Sequence, residues 1–136
     1  MKKWTTTGLL SAVLVIFISG CATSGLEATG KPHGDPKFAK HLAIHNEPLA
    51  DKIIISQLNT RVTGNLLEVS VVLENLTSSD KQIQYRFSWY GDDNFEIEQG
   101  GEPWTPTTLN GKSTVQMKAV APNASVTTYK INVREL

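Results

Sequence analysis

The chain has one cysteine among its 136 residues, so no internal disulfide can form. It also lacks an apolar run of about 20 residues, the length that a helix needs to cross a bilayer. Acidic and basic residues balance, with 13 of each, so no strongly basic surface is available to attract nucleic acid. These absences exclude a disulfide-stapled domain and a spanning helix, and they argue against a nucleic-acid partner.

Motifs that mark common enzyme classes are absent as well. We find no glycine-rich phosphate loop, nucleophile elbow, paired-cysteine metal motif or strip of interleaved basic and aromatic residues. Covalent catalysis would then need an activated serine or threonine, and none stands in such a motif. We therefore expect a protein that is not an enzyme and has no cofactor.

The lone cysteine, Cys21, ends a segment with the parts of a secretory signal. Lys2 and Lys3 supply positive charge, and a short apolar core precedes Ile18-Ser19-Gly20-Cys21. That tetrapeptide resembles the lipobox of bacterial lipoproteins, which implies cleavage before Cys21 and acylation of its thiol. A cysteine with several acyl chains is retained stably in a membrane, whereas one chain gives only marginal binding. The sequence therefore predicts a signal peptide at 1–20 and lipidation at Cys21.

The residue after the cysteine bears on location. Among lipobox proteins, aspartate at that position is associated with the inner membrane, and here the residue is Ala22. The resemblance therefore implies an outer-membrane anchor with the rest of the chain facing the periplasm. Loss of Lys2 and Lys3 with the signal would change the formal charge from zero to −2.

The remainder divides into a tether and one domain. Residues 21–41 are rich in Gly, Pro, Ser and Lys without an apolar period, which predicts a flexible segment. Residues 42–136 have the size of a single domain. We expect the domain to begin near Leu42.

From there the apolar residues recur with a period of two, as in half-buried strands. An apolar run at 52–62 predicts an early strand whose inward face the pattern does not assign, and the linker LTSSDK predicts a hairpin. Together with further turn clusters, these strands predict an all-β, antiparallel, immunoglobulin-like sandwich. The predicted inward residues are Leu67, Val69, Val71, Leu73, Ile83, Tyr85, Phe87, Trp89, Val115, Met117, Ala119, Tyr129, Ile131 and Val133.

Two long stretches resemble a known family. VVLENLTSSDKQIQYRFSWYGDDNFEI and EPWTPTTLNGKSTVQMKAVAPNASVTTYKINVR are similar to the YcfL family of small proteobacterial lipoproteins. The shared features are the Asn-x-Thr turn, the Tyr-Arg-Phe-x-Trp-Tyr strand, the Trp-x-Pro loop and the Ala-Pro-Asn turn. The resemblance spans about Ile53 to Arg134 and implies a periplasmic β-sandwich lipoprotein. It implies no activity and supplies no catalytic residues.

Two groups of residues could in principle hold a metal. The acidic stretch contains carboxylates of the type that calcium prefers, although without the spacing of an EF-hand, and a hairpin tip is normally acidic simply because it is solvated. The three histidines could form part of a zinc or copper site, or could lie loosely packed along the tether. The acidic residues are Asp92, Asp93, Glu96, Glu98 and Glu102, and the histidines are His33, His41 and His45.

Trp104 lies in a Gly- and Pro-rich loop, where a tryptophan is often a binding anchor. It could instead fold back over an open end of the sandwich. Tyr90 and Arg86 are predicted on the face of their strand that points away from the core. Two Asn-x-Ser/Thr patterns, at Asn75 and Asn123, are expected to be turns because a bacterial lipoprotein does not need glycosylation sites.

These observations predict a non-enzymatic interaction module that binds an envelope protein or peptidoglycan. The expected binding surface is formed by Trp104, Tyr90, Arg86, Asp92, Asp93 and Glu96. The alternative is a metal-binding or metal-delivery lipoprotein that uses the histidines or the acidic turn. Beyond the membrane anchor, the sequence specifies no particular partner.

Overall fold

The computed structural model describes residues 34–98 and 102–136. The predicted signal peptide, Cys21, His33 and most of the predicted tether lie outside these residues, so the structure does not address the predictions made for them. Within the described ranges, no helix has the length and apolarity required to cross a membrane. The elements are helix α1 (Pro36–Ala39), strand β1 (Leu42–Ile44), a 3₁₀ turn (Glu47–Leu49), and strands β2 (Ile53–Thr63), β3 (Leu66–Asn75), β4 (Lys81–Tyr90), β5 (Glu96–Ile97), β6 (Thr105–Leu109), β7 (Thr114–Val120) and β8 (Thr128–Glu135).

The strands form two sheets. In the five-stranded sheet, β8 lies between β1 and β4, and the other edge of β4 pairs with β6 and then with β5. In the three-stranded sheet, β3 lies between β2 and β7. Every pair is antiparallel except β1 with β8, which is parallel. The prediction of an all-β antiparallel sandwich is confirmed.

The core between the sheets follows the predicted alternation. Most of the residues predicted to point inward are buried, and Leu67, Tyr85, Val115 and Ala119 pack partly buried at its margin. Alternation works here because each strand has one apolar face and successive side chains point to opposite faces. The fully or nearly fully buried members are Val69, Val71, Leu73, Ile83, Phe87, Trp89, Met117, Tyr129, Ile131 and Val133.

Strand β2 shows why its inward face could not be assigned. Ile53 and Ile55 are buried, but the register with β3 shifts between Ile55 and Gln57, so Leu58 instead of Gln57 faces the core. Such a bulge places an extra residue in one strand, so that after it the even-numbered instead of the odd-numbered side chains face the core. A rule based on strict alternation therefore fails in this strand.

The predicted hairpin between β3 and β4 is wrong. These strands belong to different sheets, and the chain crosses between them through residues 76–80. The turn sequence alone does not distinguish a hairpin from a crossover, because both need the same Ser- and Asp-rich chemistry. A tight hairpin instead joins β2 to β3, where Gly64 and Asn65 both have positive φ, of 56° and 68°.

A fully buried asparagine holds the crossover in place. The Nδ2 group of Asn75 donates to the carbonyl oxygens of Ser79, Leu109 and Asn110, at 2.8, 3.0 and 3.2 Å. Its Oδ1 accepts from the amide and the hydroxyl of Thr77. The β3–β4 crossover is thereby joined to the β6–β7 turn, and the Asn-x-Thr pattern is structural.

Packing against the domain begins ahead of Leu42. Helix α1 lies against β2, and Phe38 packs against the core while partly buried. Asp35 caps the helix by accepting from the amide of Lys37. The last residues of the segment predicted as a tether therefore belong to the packed unit.

Candidate binding site on the outer face of the five-stranded sheet

Strands β4 and β8 present a polar outer face because their apolar residues point inward. On β4 this face includes Arg86, and on β8 it includes Asn132 and Arg134. Arg86 pairs with Asn132 in the register and Gln84 pairs with Arg134. Arg86 and Arg134 are therefore diagonal neighbours on one face, within reach of long side chains.

Trp104 lies over these two arginines. Its ring centre is 4.8 Å from the guanidinium carbon of Arg86 and 4.0 Å from that of Arg134. His45, just after β1, meets the same ring edge-on, with the centroids 5.9 Å apart. We call Trp104, Arg86, Arg134 and His45 the Trp104 cluster. Of the two positions expected for this tryptophan, the structure shows neither a free loop anchor nor a cap over an open end. The indole is partly buried on the outer sheet face.

A hydrogen-bond chain connects the cluster to the sheet. Asn132 is buried on the outer face and donates from Nδ2 to the hydroxyl of Ser88 at 2.8 Å. With the amide in this orientation, its Oδ1 accepts from Nε2 of His45 at 3.0 Å. The histidine ring is thereby fixed by side chains of two strands, and its edge is held toward Trp104.

The two arginines of the Trp104 cluster have no carboxylate partner among the described residues. Arg134 donates from Nε to Oε1 of Gln84 at 2.8 Å, whereas Nε of Arg86 is buried without an acceptor in the described part of the chain. The one ion pair found within the described ranges joins Arg61 and Glu68 on the three-stranded sheet. Guanidinium groups present planar arrays of donors that suit carboxylates and phosphates. The two guanidinium groups of the cluster therefore offer hydrogen-bond donors that suit an anionic ligand.

Glu102 fixes the segment that carries Trp104. Strands β5 and β6 leave a gap along the edge of β4, and the Glu102 carboxylate fills it. Its oxygens accept from Nε1 of Trp89 at 2.8 Å and from the amide of Phe87 at 3.4 Å. This acidic residue, which the sequence grouped with candidate metal ligands, instead satisfies two donors of the sheet.

The other acidic candidates lie elsewhere. Asp93 accepts from the amide of Phe95 at 3.1 Å within the turn after β4, and Asp92 is exposed. Glu96 lies on β5 opposite Tyr90. Tyr90 itself is four residues from Arg86 along β4, or about 13 Å at the usual rise of a strand. The predicted surface is therefore divided between two ends of one sheet face.

At the Tyr90 end, the ammonium of Lys130 lies 5.9 Å from the ring centre. A depression of about 380 Å³ lies beside this pair. Its lining residues are Lys40, His41, Tyr90, Asn94, Thr128, Tyr129 and Lys130. This end carries cations as well, but Glu96 lies next to Tyr90 and supplies an opposite charge.

The histidines do not converge. Nδ1 of His41 bonds to the carbonyl oxygen of Tyr129 at 2.9 Å, and its ring stacks on that tyrosine with centroids 4.5 Å apart. His45 belongs to the Trp104 cluster. No group of three His, Cys, Asp or Glu side chains that could hold a metal occurs within residues 34–98 and 102–136. His33 lies outside the described residues.

Another depression, of about 440 Å³, lies on the three-stranded sheet. Its polar lining includes Arg61, Glu68, Ser70 and Gln116, which interact with one another. Arg61 pairs with Glu68, and Gln116 donates to Ser70 at 2.8 Å. The hydrogen-bonding and charged groups named here are paired with one another, whereas the two arginines of the Trp104 cluster have no carboxylate partner among the described residues. We therefore take the Trp104 cluster as the better candidate for a binding site.

Sequence reasoning identified Trp104 and Arg86 but not Arg134 or His45 as their neighbours. The alternation in β8 does place Lys130, Asn132 and Arg134 on the polar face. The information that was missing is the register of β8 against β4, which joins residues about 50 positions apart. Local patterns carry no such information.

The comparisons with known proteins place this fold in a family. A family model described as "Protein of unknown function (DUF1425)" matches residues 40–135. A DUF1425 member from Shewanella sp. pv-4 has a similar crystal structure, with 27% identity and a TM-score of 0.55 over 62% of this chain and 78% of that chain. Campylobacter jejuni cj0090 shares the fold, with 14% identity and a TM-score of 0.58 over 71% and 98% of the two chains. No curated protein matches the sequence. The chain belongs to the DUF1425 family, which is described as being of unknown function.

Proposed function

We propose that this protein is a YcfL-like lipoprotein of the outer membrane whose β-sandwich is a non-enzymatic interaction module facing the periplasm. Its partner is an envelope protein or a cell-wall component. The binding surface is the outer face of the five-stranded sheet at the Trp104 cluster. The observation that carries this proposal is the pair of arginines held against Trp104 with no carboxylate partner in the described chain.

The residue types of the cluster support a binding role. Tryptophan and arginine are the side chains most enriched among the residues that dominate protein interfaces. Here both arginines project from central strands, and the tryptophan is held by the segment that Glu102 fixes. Side chains mounted on rigid elements need little ordering when a partner binds.

The anchor is supported by the sequence around Cys21. Because helix α1 packs against the domain, the proposed tether spans 21–33, about 13 residues, and a flexible chain of that length has a root-mean-square reach of roughly 20 Å. Anchoring within such a distance raises the effective concentration of the module near membrane and cell-wall partners. An exposed, pre-assembled binding face on a short tether suits recruitment at the membrane surface.

The anchor is tested by metabolic labelling with a palmitate analogue and by membrane fractionation. The protein should incorporate label and sediment with the outer membrane, and Cys21→Ala should abolish both properties. Label in the Cys21→Ala variant, or a wild-type protein that stays soluble, would contradict the anchor.

The binding role is tested by crosslinking intact envelopes and capturing the full-length protein. Wild type should recover a specific component that Trp104→Ala loses, while Phe95→Ala retains it. Phe95 is a suitable control because its ring is 71% exposed on a different turn and contributes nothing to the cluster. Recovery that is unaffected by Trp104→Ala, or equally lost in both variants, would contradict the proposed surface.

A further inference from the structure

We propose that the Trp104 cluster recognises carboxylates and that its ligand is an acidic, extended segment of a partner protein. This inference rests on the proposed function, because it names the partner chemistry of the same surface. It starts from the charge of the outer face and from a buried donor of the cluster, Nε of Arg86, that has no acceptor among the described residues.

Two like charges share one aromatic ring in this cluster. Arg86 and Arg134 both lie within 5 Å of the Trp104 ring centre, as the distances of 4.8 and 4.0 Å show. As diagonal neighbours on one sheet face, the two guanidinium groups repel each other, and cation–π contact with the shared ring offsets part of that repulsion. Within the described residues, no carboxylate forms an ion pair with Arg86 or Arg134. An external anion would remove the repulsion.

Arg86 also carries a buried donor that has no partner in the described chain. Nε of Arg86 has no acceptor in the described residues although it is shielded from solvent. Buried polar groups are nearly always hydrogen-bonded, so this position calls for an acceptor. The terminal nitrogens of Arg86 are not among the buried unpaired atoms, and their N–H groups at the edge of the guanidinium can donate to a carboxylate.

The layout of the face favours an extended protein segment. Lys130 lies four residues before Arg134 on β8, on the same face, so the two cations are about 13 Å apart. Four residues of an extended chain span the same distance. A segment along β8 could therefore place one acidic side chain at the Trp104 cluster and another at Lys130. The second contact is the weaker one, because Glu96 beside Tyr90 competes there.

The residues between these two cations are polar and already paired. Ser88 and Asn132 are hydrogen-bonded to each other, and His45 bonds to Asn132. Both Ser88 and Asn132 are buried, so the cations are the groups on this face that a bound segment can reach. A peptide would therefore lie across this sheet face, and its contacts with the cations would determine which sequences bind.

The test is a titration of the full-length protein in detergent micelles with an eight-residue peptide that carries Glu at two positions four apart. The matched peptide has Gln at both positions, and inorganic phosphate is the second comparison. Calorimetry gives the Kd, and the indole N–H signals of Trp104 and Trp89 report the location. Trp89 is an internal reference because its N–H is already bonded to Glu102.

We expect the Glu peptide to bind and to shift the Trp104 signal while the Trp89 signal stays in place. Arg86→Gln and Arg134→Gln should each raise the Kd about tenfold or more, the usual scale for a lost charge-assisted contact. Lys118→Gln removes the same charge from an exposed position on the other sheet and should leave the Kd unchanged. The unfolding midpoint of Arg86→Gln should be equal to or above that of wild type, because repulsion is relieved; a purely structural arginine would lower it.

Several outcomes would overturn the inference. Equal binding of the Glu and Gln peptides, or tighter binding of phosphate than of the Glu peptide, would show that carboxylates on a peptide are not the ligand. Peptide binding that survives both arginine substitutions would show that the site lies elsewhere. If the peptide fails while envelope capture still depends on Trp104, the carboxylate assignment is wrong and the proposed surface stands.

Discussion

The guanidinium carbon of Arg134 lies 4.0 Å from the ring centre of Trp104, which makes the last strand and the β6 loop neighbours on the outer sheet face. Contact of this kind stabilises a fold by about 0.5–2 kcal/mol, depending on how far it is shielded from water. It also orders the indole that would meet a partner. The same contact therefore contributes to stability and orders the surface that we propose for binding.

A double-mutant cycle measures this contact. Arg134→Gln and Trp104→Leu, alone and together, should give a coupling free energy of roughly 0.5–2 kcal/mol in urea unfolding. The pair Lys130 and Tyr90, at 5.9 Å, is the control and should couple more weakly. Equal coupling in the two pairs would show that the shorter distance to Trp104 has no energetic meaning.

The buried amide of Asn75 should be among the most sensitive side chains in the domain. Asn75→Asp replaces a donor with a carboxylate that faces three carbonyl oxygens, so we expect a loss of about 3–5 kcal/mol at neutral pH. Chemical unfolding measures the change. Asn123→Asp is the control, because the Asn123 side chain only accepts, from the amide and hydroxyl of Ser125. A comparable loss in both variants would contradict the role assigned to Asn75.

Gly111 is required for packing and Gly64 for backbone conformation. A Cβ at Gly111 would lie 2.2 Å from the carbonyl oxygen of Ser78, whereas one at Gly64 would meet nothing within 4 Å. Gly64 has a φ of 56°, so alanine there should cost about 1–2 kcal/mol. Gly111→Ala should lower the melting temperature more than Gly64→Ala does. The reverse order would contradict the close approach of the two turns.

Ionisation of Tyr129 should lower the stability of the domain at alkaline pH. Burial raises the pKa of its phenol to about 12, against about 10 in an unfolded chain. Because the folded-state pKa is the higher one, this contribution to stability is constant below pH 10 and is lost as pH rises from 10 to 12. The loss should total roughly 2–3 kcal/mol, from 1.36 kcal/mol per pH unit.

Tyr129→Phe provides the comparison. The hydroxyl has no hydrogen-bond partner among the described residues, so its removal should cost little at neutral pH, about 1 kcal/mol or less. Urea unfolding at pH 8 to 12 should show a smaller alkaline decline in the variant than in wild type. Parallel declines would mean that other groups set the alkaline limit.

Prediction from sequence succeeded where the physics is local. Alternation in β3 and β4 identified Val71 and Phe87 as core residues because strand geometry converts sequence parity directly into facing. It failed in β2, where a bulge at Ser56 changes the parity, and at the β3–β4 connection, where Asn75 joins turns about 35 residues apart. Both failures depend on contacts that no local window contains.

The candidate site shows the same division. The loop composition around Trp104 pointed to an unusual tryptophan, and alternation put Arg86 on the outer face. The convergence of Arg134 and His45 on that ring depends on the register of β8 and on the parallel pairing of β1. Both features depend on pairing between strands that are distant in sequence, so the cluster could be identified only from the folded structure.

Site-specific photocrosslinking in intact cells tests the central claim most directly, because it compares the two faces of the sandwich in the envelope. A photoreactive residue at Pro106, which is exposed and pairs with Gln84 beside the Trp104 cluster, probes the proposed surface. The same residue at Gln116, exposed on the three-stranded sheet, probes the opposite face. We predict a discrete adduct from position 106 that disappears with Arg86→Gln and Arg134→Gln, and none from position 116. An adduct from position 116 alone, or one from position 106 that persists without both arginines, would contradict an interaction module that binds through the Trp104 cluster.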